Sequence, residues 1–263
     1  MSVAVIKTAR RLFRILEFFD AVQRPLALKE VVTRFNYPVS STSAILKSMV
    51  VLGYIDYDRY SRTYMPTMRM VQLGQWVQDV LFGEGGIVSL AKHLNKTTEE
   101  TVAIATQSDL YMQYIHVVPS PHSIQYTGRP GVVRPLARSG LGWMLLSARS
   151  DEMIDKLVRR TNFEEEDPAR KVDLQELMTR IREIRKNGHV ISLNTVTAGE
   201  GIIGMLLPER RHGRILAIGV GGPVDRLVAK KSEILKLLRE GVADLSTNDA
   251  AVMPDVAFPH MCK

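Results

Sequence analysis

The stretch LALKEVVTRFNYPVSSTSAILKSMVVLGYI, Leu26–Ile55, holds two short segments of helical spacing on either side of a break. In the first, from Leu28 to Phe35, Leu28, Val31, Val32 and Phe35 fall at i, i+3, i+4 and i+7 on one apolar face. Asn36, Tyr37 and Pro38 interrupt it, because a proline excludes helical geometry from the residue before it. Ser40 or Ser41 is placed to cap a second helix that buries Ile45, Leu46, Met49 and Leu52. Its other face presents Ser41, Ala44, Lys47, Ser48 and Val51, and Gly53 ends it in left-handed geometry. Two short helices joined by a tight turn are a helix-turn-helix.

The flanks extend this motif. Upstream, Ala9, Leu12, Phe13, Leu16 and Phe19 form a stripe over Lys7–Ala21, a third helix to pack on the other two. Downstream, Tyr54–Tyr57 and Thr63–Met65 are β-prone runs around a turn, a hairpin in the position of a wing, with Arg59 and Arg62 near its tip. From Thr67 to Leu81 the spacing of Met70, Leu73, Val77 and Leu81 predicts a connecting helix, whose stripe suits either core or a dimer seam. Gly83, Glu84, Gly85 and Gly86 then mark a boundary.

Beyond it, helical and strand-like segments alternate. Helices are expected at Ile87–Leu94, Leu141–Leu146, Asp151–Arg160 and from Leu174 to Ile184, the last opened by the capping-box pair Asp173 and Glu176 and stopped by Gly188. Strands are expected at Thr101–Thr106, Tyr111–Val118, His189–Leu193, Ile202–Leu207 and Ile215–Val220, with Gly213 turning between the last two. Gly128–Pro135 reads as a loop, Glu164–Asp167 as a solvated acidic one. A final helix runs to about Leu245 with Pro223 in its first turn. These segments predict an α+β domain on a mainly antiparallel sheet. The expected division is residues 1–66 for the winged helix-turn-helix, 67–84 for the linker helix, 85–247 for the second domain and 248–263 for a flexible tail.

The 263 residues carry a formal net charge of +7 and a pI near 9.5, which suits a polyanionic partner. The excess is concentrated early: Lys7, Arg10, Arg11 and Arg14 precede the first acid, Glu17. Cys262 is the single cysteine, so an intramolecular disulfide and a thiolate cluster are both excluded, and a cytoplasmic location is expected. No apolar run reaches membrane-spanning length. A basic enzyme acting on an acidic small molecule is the alternative. Against it, the histidines show no metal-ligand spacing, and neither a Gly-flanked nucleophile nor a phosphate loop occurs, so no catalytic residue and no cofactor is expected.

The order of basic helix, helix-turn-helix, wing, linker helix and α+β domain resembles the isocitrate lyase regulator (IclR) family of bacterial transcription factors. Four stretches carry the resemblance: NYPVSSTSAILKSMVVLGYI (Asn36–Ile55), RPLARSGLGWMLLS (Arg134–Ser147), LMTRIREIRKNGHVIS (Leu177–Ser192) and ILAIGVGGPVDRL (Ile215–Leu227). The resemblance implies a GAF-like effector domain, a small organic acid as effector, and homodimers or dimers of dimers on partly palindromic double-stranded DNA operators.

In a winged helix the second helix of the motif enters the major groove. Ser40, Ser41, Thr42 and Ser43, with Lys47, are therefore the expected contacts to bases and phosphates, and Arg59, Arg62, Lys7, Arg10 and Arg11 are expected to neutralise phosphates. For the effector the candidates are Gly128, Arg129, Arg138, Ser139, Gly140, Trp143, Asn194, Thr195, Gly201, Ile202 and Gly219. Glycines there would let a ligand approach the backbone, and Arg138 could grip a carboxylate by two parallel hydrogen bonds.

Overall fold

The computed structural model describes residues 5–74, 86–126, 128–208 and 214–249. The chain falls into two compact units, Met1–Asp79 and Val80–Lys263.

In the first unit, α1 (Lys7–Val22), α2 (Leu28–Phe35) and α3 (Val39–Val51) close around Ile15, Phe19, Leu26, Val31, Ile45, Leu46, Met49 and Ile55. A three-stranded antiparallel sheet completes it. β1 (Leu26–Ala27) pairs with β3 (Thr63–Pro66), which pairs with β2 (Ile55–Asp58). The two-residue β1 is too short to leave a pattern in sequence. Glu30 anchors the start of α2 by accepting the Ala27 N–H at 2.8 Å while pairing with Arg24 at 2.7 Å. The chain is helical again over residues 68–74, here α4. The rest of the expected linker helix lies outside the described residues.

Three expectations for this unit need correction. Phe13 is exposed, because the inward face of α1 is centred on Ile15 and Phe19. Leu52 is exposed too: Gly53, at φ 77°, turns the chain back directly after it, and Ile55 fills the core instead. Neither Ser40 nor Ser41 caps α3. The helix starts at Val39 with Pro38 as its N-cap, and the Ser41 and Thr42 hydroxyls donate back to the Pro38 carbonyl at 3.1 and 3.0 Å.

The second unit is a six-stranded antiparallel sheet in the order β6-β5-β4-β9-β8-β7. Its strands are β4 (Thr101–Ser108), β5 (Tyr111–Val118), β6 (Val133–Pro135), β7 (Val190–Leu193), β8 (Glu200–Leu206) and β9 (Leu216–Pro223). Strand alternation gives its two faces different bulk. Val102, Ile104, Leu216, Ile218 and Val220 pack with the helices α5 (Gly86–Thr98) and α10 (Lys231–Asp249). The small residues Ala103, Ala105 and Ala217 face the other way, into a core shared with α6 (Gly140–Ser147), α7 (Asp151–Glu164) and α8 (Leu174–Asn187). Small side chains let α6 lie close to the sheet. Gly140 through Leu146 are all buried, and an added Cβ at Gly142 would stand 2.1 Å from the Leu136 carbonyl oxygen.

Pro223 is the N-cap of a short α9 (Val224–Ala229) and not a first-turn residue, and the expected final helix is broken at Lys230. The stretch read as a loop, Gly128–Pro135, ends in β6. Glu165, expected in solvent, is only 18% exposed along its side chain because it pairs with Arg138. The turn expected at Gly213 lies outside the described residues.

Candidate nucleic-acid interface and ligand cleft

Helix α3 has two unlike sides. Thr42, Ile45, Leu46 and Met49 are buried, while Ser40, Ala44, Lys47 and Val51, at i, i+4, i+7 and i+11, form an exposed ridge. Ser43 is half-buried at its flank. Thr42 has no access to a partner, since it is fully buried with its hydroxyl on the Pro38 carbonyl. Arg11 is half-buried: its guanidinium lies over the Tyr37 ring at 4.7 Å and donates to Ser41 Oγ at 3.1 Å, tying α1 to the start of α3. Lys7, Arg10, Arg59 and Arg62 are exposed. In the β2–β3 turn, Asp58 accepts from the Ser61 hydroxyl at 2.7 Å and the Tyr60 N–H at 2.8 Å, which holds its carboxyl below the usual range. The turn bearing Arg59 and Arg62 is thereby ordered.

In the second unit a cleft opens at the first turn of α6. Tyr114, Tyr126, Ser139, Gly140, Ser192, Thr195, Val196, Thr197, Glu200, Gly201 and Ile202 line it. The enclosed space is about 20 Å³, close to what one water requires. Ser139 precedes α6 without capping it, and its Oγ is buried with no hydrogen-bond partner among the described residues. Such a group costs about 1–3 kcal/mol when unsatisfied, and it sits beside the free N–H groups of a helix start, where anions are favoured. Across the cleft the Tyr114 and Tyr126 hydroxyls share a 2.6 Å hydrogen bond. Burial pushes both phenols upward, so they stay protonated across the physiological range. Ser192 Oγ donates to Thr195 Oγ1 at 2.8 Å. The loop over the cleft is closed by Asn194, in left-handed geometry at φ 56°, whose Oδ1 accepts the Gly199 N–H at 2.7 Å.

Of the residues expected at a ligand site, Ser139, Gly140, Thr195, Gly201 and Ile202 meet here. Asn194 serves the loop instead. Gly128 is buried against Tyr126 and Tyr114, and Arg129 is exposed on the turn beyond. Gly219 lies inside the sheet, where a Cβ would meet Leu141 and Ile202, and at Gly140 it would meet Ser192 and Ile202. These glycines admit protein side chains, which is a different use from admitting a ligand. Arg138 is held by Glu165 at 3.1 Å and the Arg170 carbonyl at 2.7 Å. With Trp143 it borders a neighbouring groove of about 290 Å³. The Trp143 indole donates to the Ala137 carbonyl at 2.8 Å, and Arg180 covers its ring at 4.0 Å.

Sequence reading missed Tyr114, Tyr126, Ser192 and Glu200. Tyr114 and Ser192 carry a faint signal, as polar groups on the inward register of strands. Tyr126 lies in irregular chain and carries none.

A winged helix-turn-helix unit followed by an α+β unit with a small polar cleft defines a two-domain DNA-binding-type architecture. Residues 8–59 match the IclR helix-turn-helix domain, and residues 88–247 match the bacterial transcriptional regulator IclR C-terminal domain. The chain belongs to the IclR family of bacterial transcriptional regulators. It is similar to the HTH-type transcriptional regulator KdgR of Dickeya chrysanthemi, 22% identical over 185 residues that make up 70% of this chain and 60% of that protein. This chain thus spans less than two thirds of that relative. Among solved structures it is similar to the effector domain of IclR from Acinetobacter sp. ADP1, with 34% identity and a TM-score of 0.59 over 64% of this chain and 98% of that one. It also resembles an IclR homolog complexed with 4-hydroxybenzoate from Microbacterium hydrocarbonoxydans, with 17% identity and a TM-score of 0.72 over 94% and 100% of the two chains.

Proposed function

We propose that this protein is a cytoplasmic transcriptional regulator that places α3 in the major groove of an operator and responds to a small organic acid bound at the first turn of α6. It acts as a homodimer or dimer of dimers on partly palindromic DNA. The observation that carries the DNA reading is the exposed ridge Ser40, Ala44 and Lys47 on a helix whose opposite face is core. Lys7, Arg10, Arg59 and Arg62 supply phosphate neutralisation around it.

For the acid, the Ser139 hydroxyl and the α6 N–H groups receive the carboxylate, and Tyr114 or Tyr126 meets a second polar group. An IclR homolog complexed with 4-hydroxybenzoate, a small carboxylate, supports an acid of this class. The test is a titration of the full chain on DNA from its own upstream region, with and without a library of small carboxylates, alongside calorimetry. A protected DNA segment whose occupancy changes with one acid supports the reading. Uniform binding along the DNA, or occupancy indifferent to every acid that binds the protein, sinks it.

A further inference from the structure

We infer that α3 selects its DNA site largely through thymine methyl groups, touched by Val39 and Ala44. The inference rests on the reading of α3 as the groove-binding helix and goes on to what that helix recognises. Base edges in the major groove are read by bidentate donors and acceptors, Arg on guanine and Asn or Gln on adenine above all, or by apolar contact with the thymine methyl. Residues 39–51 contain no Arg, Asn, Gln, Asp or Glu. Lys47 is their one long polar side chain.

The hydroxyls are partly committed as well. Ser41 and Thr42 donate to the Pro38 carbonyl and Ser48 to the Ala44 carbonyl, each within 3.1 Å. Thr42 is in addition buried, and Ser41 carries Arg11. What the outward side offers a base edge is therefore Ser40, Lys47, the Ser43 hydroxyl at the flank, Val51 at the far end of the helix, and the methyl groups of Val39 and Ala44.

Both apolar residues are placed for such a contact. Val39 is the first residue of α3, at the end of a recognition helix that meets the bases, and it is 58% exposed. It belongs to no core cluster, and a β-branched residue adds nothing to the helix it begins. Ala44 is exposed on the ridge between Ser40 and Lys47, and its single methyl lets the helix backbone approach a base pair closely. The thymine C5-methyl is the apolar feature of the major-groove edge, and covering one with another methyl removes both from water.

The test uses the full chain and needs no prior operator. A preferred site is selected from random duplexes, and each of its thymines is then replaced by deoxyuridine, which lacks only that methyl. Binding is followed by fluorescence anisotropy for the native protein, Val39→Ala and Ala44→Gly, with random duplex as the control for folding and phosphate contacts. At one or more thymines, uracil should weaken the native protein about fourfold, the equivalent of one buried methylene. That penalty should vanish in the variant whose methyl made the contact, and the random duplex measures any general loss of folding or phosphate contact against which the penalty is read. A selected site lacking thymine, uracil substitutions that cost nothing, or penalties that persist in both variants would overturn the inference and leave DNA binding standing. If selection yields no preferred sequence, the groove-binding reading falls with it.

Discussion

Under the proposed function, Ser139 is the residue where stability and ligand binding make opposite demands. Its Oγ is buried and unpartnered among the described residues, an arrangement that costs stability and persists when a group serves a ligand. Ser139→Ala should leave the urea midpoint unchanged or raise it slightly, and should weaken binding of the responsive acid about tenfold, the loss of one charge-assisted hydrogen bond. A variant destabilised by more than about 1 kcal/mol with acid affinity intact would make the hydroxyl structural. The residue was legible in RPLARSGLGWMLLS as a small side chain at a helix start. Arg138 beside it looked the better ligand for a carboxylate, but Glu165 lies 27 residues on and its approach to Arg138 leaves no mark in the local sequence.

At the scale of elements, the wing and α2 make separable predictions. Arg59 and Arg62 extend from a turn ordered by Asp58 and face solvent. Replacing either by Ala should weaken operator and random DNA alike, and should lower the slope of log affinity against log salt by about 0.9 for each phosphate that is no longer neutralised. A loss confined to the operator would mean that the wing reads sequence. In α2, the Arg24 guanidinium first, and the Ala27 N–H second, hold the Glu30 carboxyl below its ordinary value. Because the folded value is the lower one, this contribution is whole above the ordinary glutamate pKa of about 4.3 and fades as pH falls through the lowered value. Melting of the first unit should therefore show an acid decline that Glu30→Gln flattens, and identical acid limbs in the two proteins would remove Glu30 from the account. The helices themselves were readable because amphipathic spacing is local. The start of α3 was not, since whether a hydroxyl caps or back-bonds depends on where Pro38 sits.

For the whole molecule, an acid that changes operator affinity by some factor must have its own affinity changed by the same factor when operator is bound. Calorimetry of the acid with free protein and with the protein–operator complex should give one ratio, equal to the shift in DNA affinity, and unequal ratios would show that a further binding step intervenes. The same experiment bears on the loop over the cleft. The Gly199 amide, hydrogen-bonded to Asn194, should gain protection from hydrogen exchange when acid binds beside this loop.

Sequence alone determined the winged helix-turn-helix and the α+β character of the second unit, because periodicity, turn residues and charge distribution are written within a few residues of one another, while the family came from the likeness of four stretches to those of known regulators. Tertiary structure decided which polar groups are free to act. Thr42 was kept off the outward face by the packing of α3 on its neighbours, Trp143 was turned into the core beneath Arg180, and the space at Gly140 and Gly219 was taken by side chains of other elements. In the other direction, folding brought Tyr114, Tyr126 and Ser192 to the first turn of α6. The exposed face of a helix can be counted from its period. The lining of a cleft is set by strand register and by loop closure between residues far apart in the chain, and no local pattern records either.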